Sequence, residues 1–215
     1  MRLLLSILPL FLLLLTSCSE NVNDENTEYR NWEQRNTAFF RQKMTEAKAA
    51  VATARSQYGD AWEQHCNYRI YRSFSVTDDT DPAKVDSICV EVVENGTGSG
   101  SPLFTDSVRV NYLRTLMPTD EHPTGYVLEH SGYSVNPDDI FNAASAPTIG
   151  RYVWAGISGT TTIGESTALQ HMHIGDRWRI FIPARLAYGD SGTTTIPAGS
   201  TLVVEMRLCE YHRKK

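Results

Sequence analysis

Basic residues are the minority charge in this 215-residue chain. Its 20 Lys and Arg stand against 25 Asp and Glu, a formal net charge of −5. That balance argues against a main role in nucleic-acid binding, which normally needs a basic patch. Long hydrophobic runs are scarce as well. The one extended apolar stretch, Leu3 to Leu15 with Ser6 and Pro9 inside it, has 13 residues, whereas a membrane-spanning helix needs about 20. Only 4 cysteines occur, and none has metal-ligand spacing. No segment repeats, so a solenoid or propeller is not indicated. Apolar residues make up 41%, somewhat under the usual level of roughly 45–50%. The chain therefore has room for one domain of about 100–150 residues with polar tether and loops around it.

What is present at the start sets the expected compartment. Arg2 precedes the apolar stretch, which ends in Leu15-Thr16-Ser17-Cys18. A charged start, a short apolar core and small residues before a cysteine make a signal-peptide pattern, and the end resembles the lipobox of bacterial lipoproteins. The resemblance implies cleavage before Cys18, lipidation of its thiol, and a location in the bacterial cell envelope, at the periplasmic or surface face of the outer membrane. Losing residues 1–17 removes Arg2 and leaves a charge of −6. Residues 18–28 (Cys18 to Glu28) are polar and acidic without periodicity, and read as a flexible tether. Cys66, Cys89 and Cys209 remain, an odd number that allows at most one disulfide. Cys89 and Cys209 fall in strand-like runs and read as small core residues.

Residues 29–59 carry the clearest helix. Phe40, Met44, Ala47, Val51, Ala54 and Tyr58 step by fours and threes along one side, and Gly59 marks a stop. The expected partner of this stripe is the chain's own domain. Pairing with a second copy, a homodimer through residues 29–59, is the alternative, although alanines make weak knobs for a helix seam.

Residues 60–85 read as a strand and a loop. Tyr68, Ile70 and Phe74 alternate on one side of the strand, and a Thr/Asp/Pro-rich stretch follows from Val76 to Ala83. Further strands are expected at Ser87–Val93, at Asp106–Leu116, around Tyr126–Ser131 and around residues 150–155. In the second of these Val108, Val110, Tyr112 and Arg114 share one side. The segment from Gly164 to Met206 is the most structured: a short helix, a Gly-Asp turn, a strand ending in Ile182-Pro183, a flap bracketed by Tyr188-Gly189 and Ile196-Pro197, and a closing strand. Trp178 between Arg177 and Arg179 is expected to face the core with both arginines outward. The pattern of antiparallel strands with one late helix is α+β.

Val110-Asn111-Tyr112, the Gly164 to Gly175 helix and turn, Ile182-Pro183, Leu186-Ala187-Tyr188-Gly189 and Ile196-Pro197 with Thr201 to Leu208 together resemble the FKBP-type peptidyl-prolyl cis-trans isomerases. The resemblance covers roughly residues 86–212. It implies an antiparallel β-sheet of five or six strands wrapped around one short α-helix, with the N-terminal helix as an addition. It also implies an isomerase of X-Pro bonds in envelope proteins, with proline-containing polypeptides as partners and no cofactor or metal. The chemistry would be physical. Rotation about the amide is opposed by a barrier of about 18–20 kcal/mol from resonance in the plane, and an apolar pocket that favours the twisted amide lowers it.

Carried over by position, Tyr188 matches a tyrosine that donates to the substrate carbonyl, Tyr112 a pocket-wall tyrosine and Ile196 an apolar flap contact. Leu128 stands where a phenylalanine is usual, Glu129 where an aspartate is, Val204 where another phenylalanine is, and Thr162 where an isoleucine offers its backbone amide. Glu165 is the main departure, because a tryptophan commonly forms the pocket floor there. An unpaired buried carboxylate is costly. Glu165 is therefore expected to turn outward, with Trp154 the nearest aromatic to replace the floor, or else the cleft is not a proline pocket. As a first-turn helix acid it needs no further role. The rival readings are an FKBP-like peptide- or protein-binding lipoprotein with little isomerase activity, and a structural lipoprotein acting through residues 29–59. His171 and His173, two apart, share no helix face and are not expected to bind metal.

Overall fold

The computed structural model describes residues 27–74, 86–132, 134–141, 155–157 and 161–213. Cys18, most of the tether, the Thr/Asp/Pro loop and Trp154 lie outside the described residues. Seven strands of the described residues form one antiparallel sheet: β1 (Tyr68–Arg72), β2 (Ser87–Glu94), β3 (Ser107–Leu116), β4 (Val127–His130), β5 (Ala155–Gly156), β6 (Arg177–Ile182) and β7 (Leu202–His212). The spatial order is β1-β2-β6-β7-β3-β4, with the two-residue β5 paired to the start of β3. Among the described residues three α-helices accompany the sheet: α1 (Trp32–Tyr58), α2 (Pro137–Phe141) and α3 (Ile163–Leu169). This is the expected α+β fold, extended by β1 at one edge.

Strand alternation divides the side chains between two faces. Ile88 and Val90 of β2, Trp178, Ile180 and Ile182 of β6, Leu202, Val204, Met206 and Leu208 of β7, and Val108, Val110, Tyr112 and Leu116 of β3 share one buried cluster with Ala168 and Leu169 of α3. The residues between them take the other face. There Cys89 and Phe181 meet Phe40 and Ala47 of α1, with Phe39, Met44, Tyr68, Ile70 and Val203 at the margin. Trp178 is buried with the core, while Arg177 and Arg179 reach Glu94, Glu91 and Glu205 on the far side. A carboxylate opposite each arginine is what permits so many charges on one sheet face.

The apolar stripe of α1 is turned toward this sheet, so the helix packs on its own domain. Phe40, Ala47 and Ala54 are buried as the periodicity requires, but Met44 and Val51 are only half-buried and Tyr58 is exposed. The periodicity also misses the strongest attachment. Asn36 is fully buried: its side chain donates to the Trp32 carbonyl at 2.8 Å and accepts from the Thr201 amide at 2.8 Å. Beside it Trp32 Nε1 donates to Ser200 Oγ at 2.8 Å. The start of α1 is thereby bonded to the entry of β7.

Two other expectations change. Phe74 does not continue the alternation of β1; the strand ends at Arg72 and Phe74 is exposed. Glu28, expected at the end of the tether, lies in a short 3-10 turn (Thr27–Tyr29) with its side chain only 7% exposed. Cys66, Cys89 and Cys209 are all free thiols. Among the described residues no helix is long and apolar enough to cross a membrane.

Removing the Asn36 carboxamide should orphan the buried Thr201 amide and destabilise the domain by about 1–3 kcal/mol. Urea denaturation of Asn36→Ala measures this, and an unchanged midpoint would show that α1 is held by apolar contact alone. A second outcome concerns high pH. Burial pushes the Cys89 thiol up from its ordinary 9.0 to about 12. The unfolded thiol ionises first, so unfolding releases a proton that the folded state keeps. Stability is full below about pH 9 and falls as pH rises toward 12. Urea midpoints between pH 8 and 11 should drop less steeply in Cys89→Ala than in the parent chain.

Candidate functional site

The inner face of β3 brings Tyr112 and Arg114 to the same side, two residues apart. β4 runs antiparallel beside it, with Glu129 directly opposite Arg114. On the other flank β7 places Val204 opposite Arg114. Arg114 Nη1 donates to Glu129 Oε2 at 2.8 Å, and its guanidinium carbon lies 5.4 Å from the centre of the Tyr112 ring. Burial pushes the Tyr112 phenol well above its ordinary value, helped by its hydrogen bond to Glu129 and by that carboxylate's charge. Tyr112 therefore stays a neutral hydrogen-bond donor across the physiological range.

Glu165 reaches this cluster from the first turn of α3. The helix begins on Thr162, whose Oγ1 accepts from the Glu165 amide at 3.2 Å. In return Glu165 Oε2 accepts from the Thr162 amide at 2.8 Å and from Thr162 Oγ1 at 2.9 Å. This reciprocal capping box satisfies helix-end donors that have no partner within the helix. The second oxygen, Oε1, accepts from Arg114 Nε at 3.1 Å and Nη2 at 2.5 Å. Glu165 is 0% exposed and the Arg114 side chain 14%. The helix fits closely here because residue 164 is glycine: a Cβ at Gly164 would stand 2.3 Å from Ile182 Cγ2.

The outward turn expected of Glu165 is thus overturned, and the inward carboxylate is the outcome that counts against a proline pocket. It points inward and is fully paired, with one oxygen on the helix cap and the other in the fork of an arginine. Burial alone would lower the affinity of Arg114 for its proton, but the charge of Glu165 and its hydrogen bond outweigh this and raise it, with Tyr188 and Glu129 adding to the effect.

The other expected residues share the main apolar core. Tyr112, Ile196 and Val204 belong to one buried cluster, and Leu128 and Tyr188 pack against it half-buried. Glu129 is 46% exposed and faces solvent beyond Arg114. Ile196 is held by a closed flap: the Thr193 amide donates to the Ile196 carbonyl at 2.8 Å, and the Gly199 amide donates to the Gly189 carbonyl at 3.0 Å across its neck. Trp154 lies outside the described residues. Chemically the site offers apolar walls, phenol donors and a neutralised charge pair, since both carboxylates are already bonded to Arg114.

Arg114 is the residue that sequence reasoning missed as part of the site. Its signal was a cation sharing a strand face with Val108, Val110 and Tyr112, a position that demands a carboxylate nearby. The Thr162-x-x-Glu165 spacing, a capping-box pattern, was the matching half.

Truncating one partner of such a pair leaves a buried charge. Arg114→Leu should cost about 3–5 kcal/mol, more than the roughly 1 kcal/mol that losing a helix cap costs. The double change Arg114→Leu with Glu165→Leu should recover most of that loss. A double-mutant cycle in urea measures the coupling, and additive effects would show that the two side chains do not depend on each other.

Comparison with known proteins gives this geometry its relatives. Residues 157–209 match the model of the family described as FKBP-type peptidyl-prolyl cis-trans isomerase. The FKBP-type peptidyl-prolyl cis-trans isomerase FkpA of Aeromonas hydrophila is 27% identical over 118 residues, 55% of this chain and 35% of the relative. The match thus spans about a third of that relative's length. Among solved structures, a peptidyl-prolyl cis-trans isomerase from Pseudomonas syringae pv. tomato is 20% identical with a TM-score of 0.45, covering 80% of this chain and 96% of its own. FkpA from Escherichia coli is 21% identical with a TM-score of 0.45, covering 85% of this chain and 68% of its own. Over residues 157–209 the chain is thus similar to the FKBP-type peptidyl-prolyl cis-trans isomerases.

Proposed function

We propose that the domain is a peptidyl-prolyl cis-trans isomerase that takes the proline of an X-Pro bond against Tyr112, Leu128, Ile196 and Val204, with Tyr188 donating to the substrate carbonyl. The observation that carries this reading is the strand register that sets Val204 and Glu129 on either side of Arg114, next to Tyr112, with Leu128, Tyr188 and Ile196 in or against the same apolar core. Glu129 acts through Tyr112 and Arg114, holding the phenol and the guanidinium in place. The clients are proline-containing polypeptides of the bacterial envelope, with the chain fastened to a membrane by lipid on Cys18. That location rests on the lipobox-like end of the leading apolar stretch. Uncatalysed exchange takes tens to hundreds of seconds, so modest acceleration suffices to matter for folding.

A charged pair in place of an aromatic floor supports a second reading, an FKBP-like binding module without turnover. Arg114 and Glu165 cancel in charge but keep their dipole. A polar floor therefore favours the twisted, less polar amide less than an apolar one would.

Exchange spectroscopy of a short Leu-Pro peptide by NMR, with the full chain in detergent, separates the readings. The isomerase reading expects faster cis/trans exchange, reduced by Tyr188→Phe. Peptide shifts without acceleration at stoichiometric protein would leave only the binding module. Restoring an apolar floor with Glu165→Trp and Arg114→Leu together should raise the exchange rate about tenfold, equivalent to roughly 1.4 kcal/mol of barrier.

A further inference from the structure

A second constellation lies away from the proline site. We infer that Glu28, Glu121 and His122 form a site for one divalent transition-metal cation, with zinc the best match. One ligand atom from each of the three falls within 4.8 Å of the others. Glu28 Oε1 is 3.8 Å from His122 Nε2. A tetrahedral zinc with ligand bonds of about 2.0–2.2 Å separates neighbouring donors by roughly 3.3 Å, so Glu28 and His122 need to close by about half an ångström and Glu121 by at most about 1.5 Å. One imidazole with two carboxylates suits zinc better than calcium or magnesium, which take oxygen donors.

The surroundings are built for such a role. Glu28 is 7% exposed, an unusual depth for a carboxylate, and Thr119 Oγ1 donates to its Oε1 at 2.7 Å. An outer hydrogen bond of that kind fixes the direction in which a ligand oxygen presents its remaining lone pair. The loop that carries the other two donors is itself rigid. The Thr119 amide donates to the His122 carbonyl at 3.0 Å, the His122 amide to Thr119 Oγ1 at 3.0 Å, and the Gly125 amide to the His122 carbonyl at 2.8 Å.

The ion would join two distant parts of the chain. Glu28 belongs to the turn that leads into α1, and Glu121 and His122 to the connection between β3 and β4. β4 then carries Leu128 and Glu129 of the proline site. A cation here staples the incoming chain to the loop that positions that wall.

Isothermal titration of the full chain, stripped with chelator, with zinc chloride tests the site. One zinc per chain with micromolar affinity is expected, together with a rise in Tm. Glu121→Gln changes only an exposed side chain, and His122→Asn keeps a polar group in the loop; each should weaken binding about tenfold or more. Absence of binding at 100-fold excess of zinc over a protein concentration of about 10 μM overturns the inference. So does equal affinity in both variants, which would assign the zinc to other histidines.

Discussion

The buried contact between Arg114 and Glu165 is the constraint around which the functional end of the molecule is arranged. It joins the later part of β3, next to the edge strand β4, to the first turn of α3. A charge with so little water near it is tolerated only when its hydrogen bonds are complete. The surroundings meet that demand: Thr162 satisfies one oxygen of Glu165, Arg114 the other, and Glu129 takes the outer side of the guanidinium. The consequence is geometric. α3 cannot slide or rotate against β3 without breaking a fork of two hydrogen bonds, so Tyr112 and Leu128 keep their relation to the helix end.

How the pair could be foreseen is a matter of locality. The strand alternation of Asp106 to Leu116 already set Arg114 beside Tyr112, and Thr162-x-x-Glu165 already had the form of a cap. Neither segment alone says that they meet, because 51 residues separate Arg114 from Glu165 and the join is made by tertiary packing. The same holds for Asn36. A polar residue at a helical spacing from Phe40 reads as solvent-facing until the Thr201 amide is known to lie there. By contrast the strands, the short helix and the flap were legible, since period-two alternation, Ile-Pro and Tyr-Gly punctuation and glycine turns act within a few residues. Phe74 shows the limit of that reading. Its place in the alternation was correct as arithmetic, but the strand ended two residues earlier.

The sheet is unusual in how differently its two faces are furnished. One holds nearly all the large aliphatic residues and encloses α3. The other is part apolar, under α1, and part a lattice of arginines and glutamates in which Glu94 meets Arg177 and Arg207, and Glu205 meets Arg177 and Arg179. A helix can cover only part of a twisted sheet, so the uncovered portion must face water. Paired charges keep it soluble without leaving like charges opposed. The acidic overall balance of the chain is therefore not a diffuse property: on this face acids and bases are locally matched.

The attachment of α1 bears on function as well as stability. Its first residues do not pack at the middle of the sheet but at the end where the candidate site lies. Trp32 bonds Ser200, which follows the flap carrying Ile196 and itself donates to the Pro197 carbonyl at 2.5 Å. Glu28 bonds Thr119, in the connection that leads to Leu128 and Glu129. Two of the segments that wall the site are therefore fastened to the chain at its point of entry. A helix that served only to thicken the fold would not need its polar contacts there. Their position makes the entering segment part of the frame of the site, so the flap and the β3–β4 connection are held by the same few residues that lead into α1.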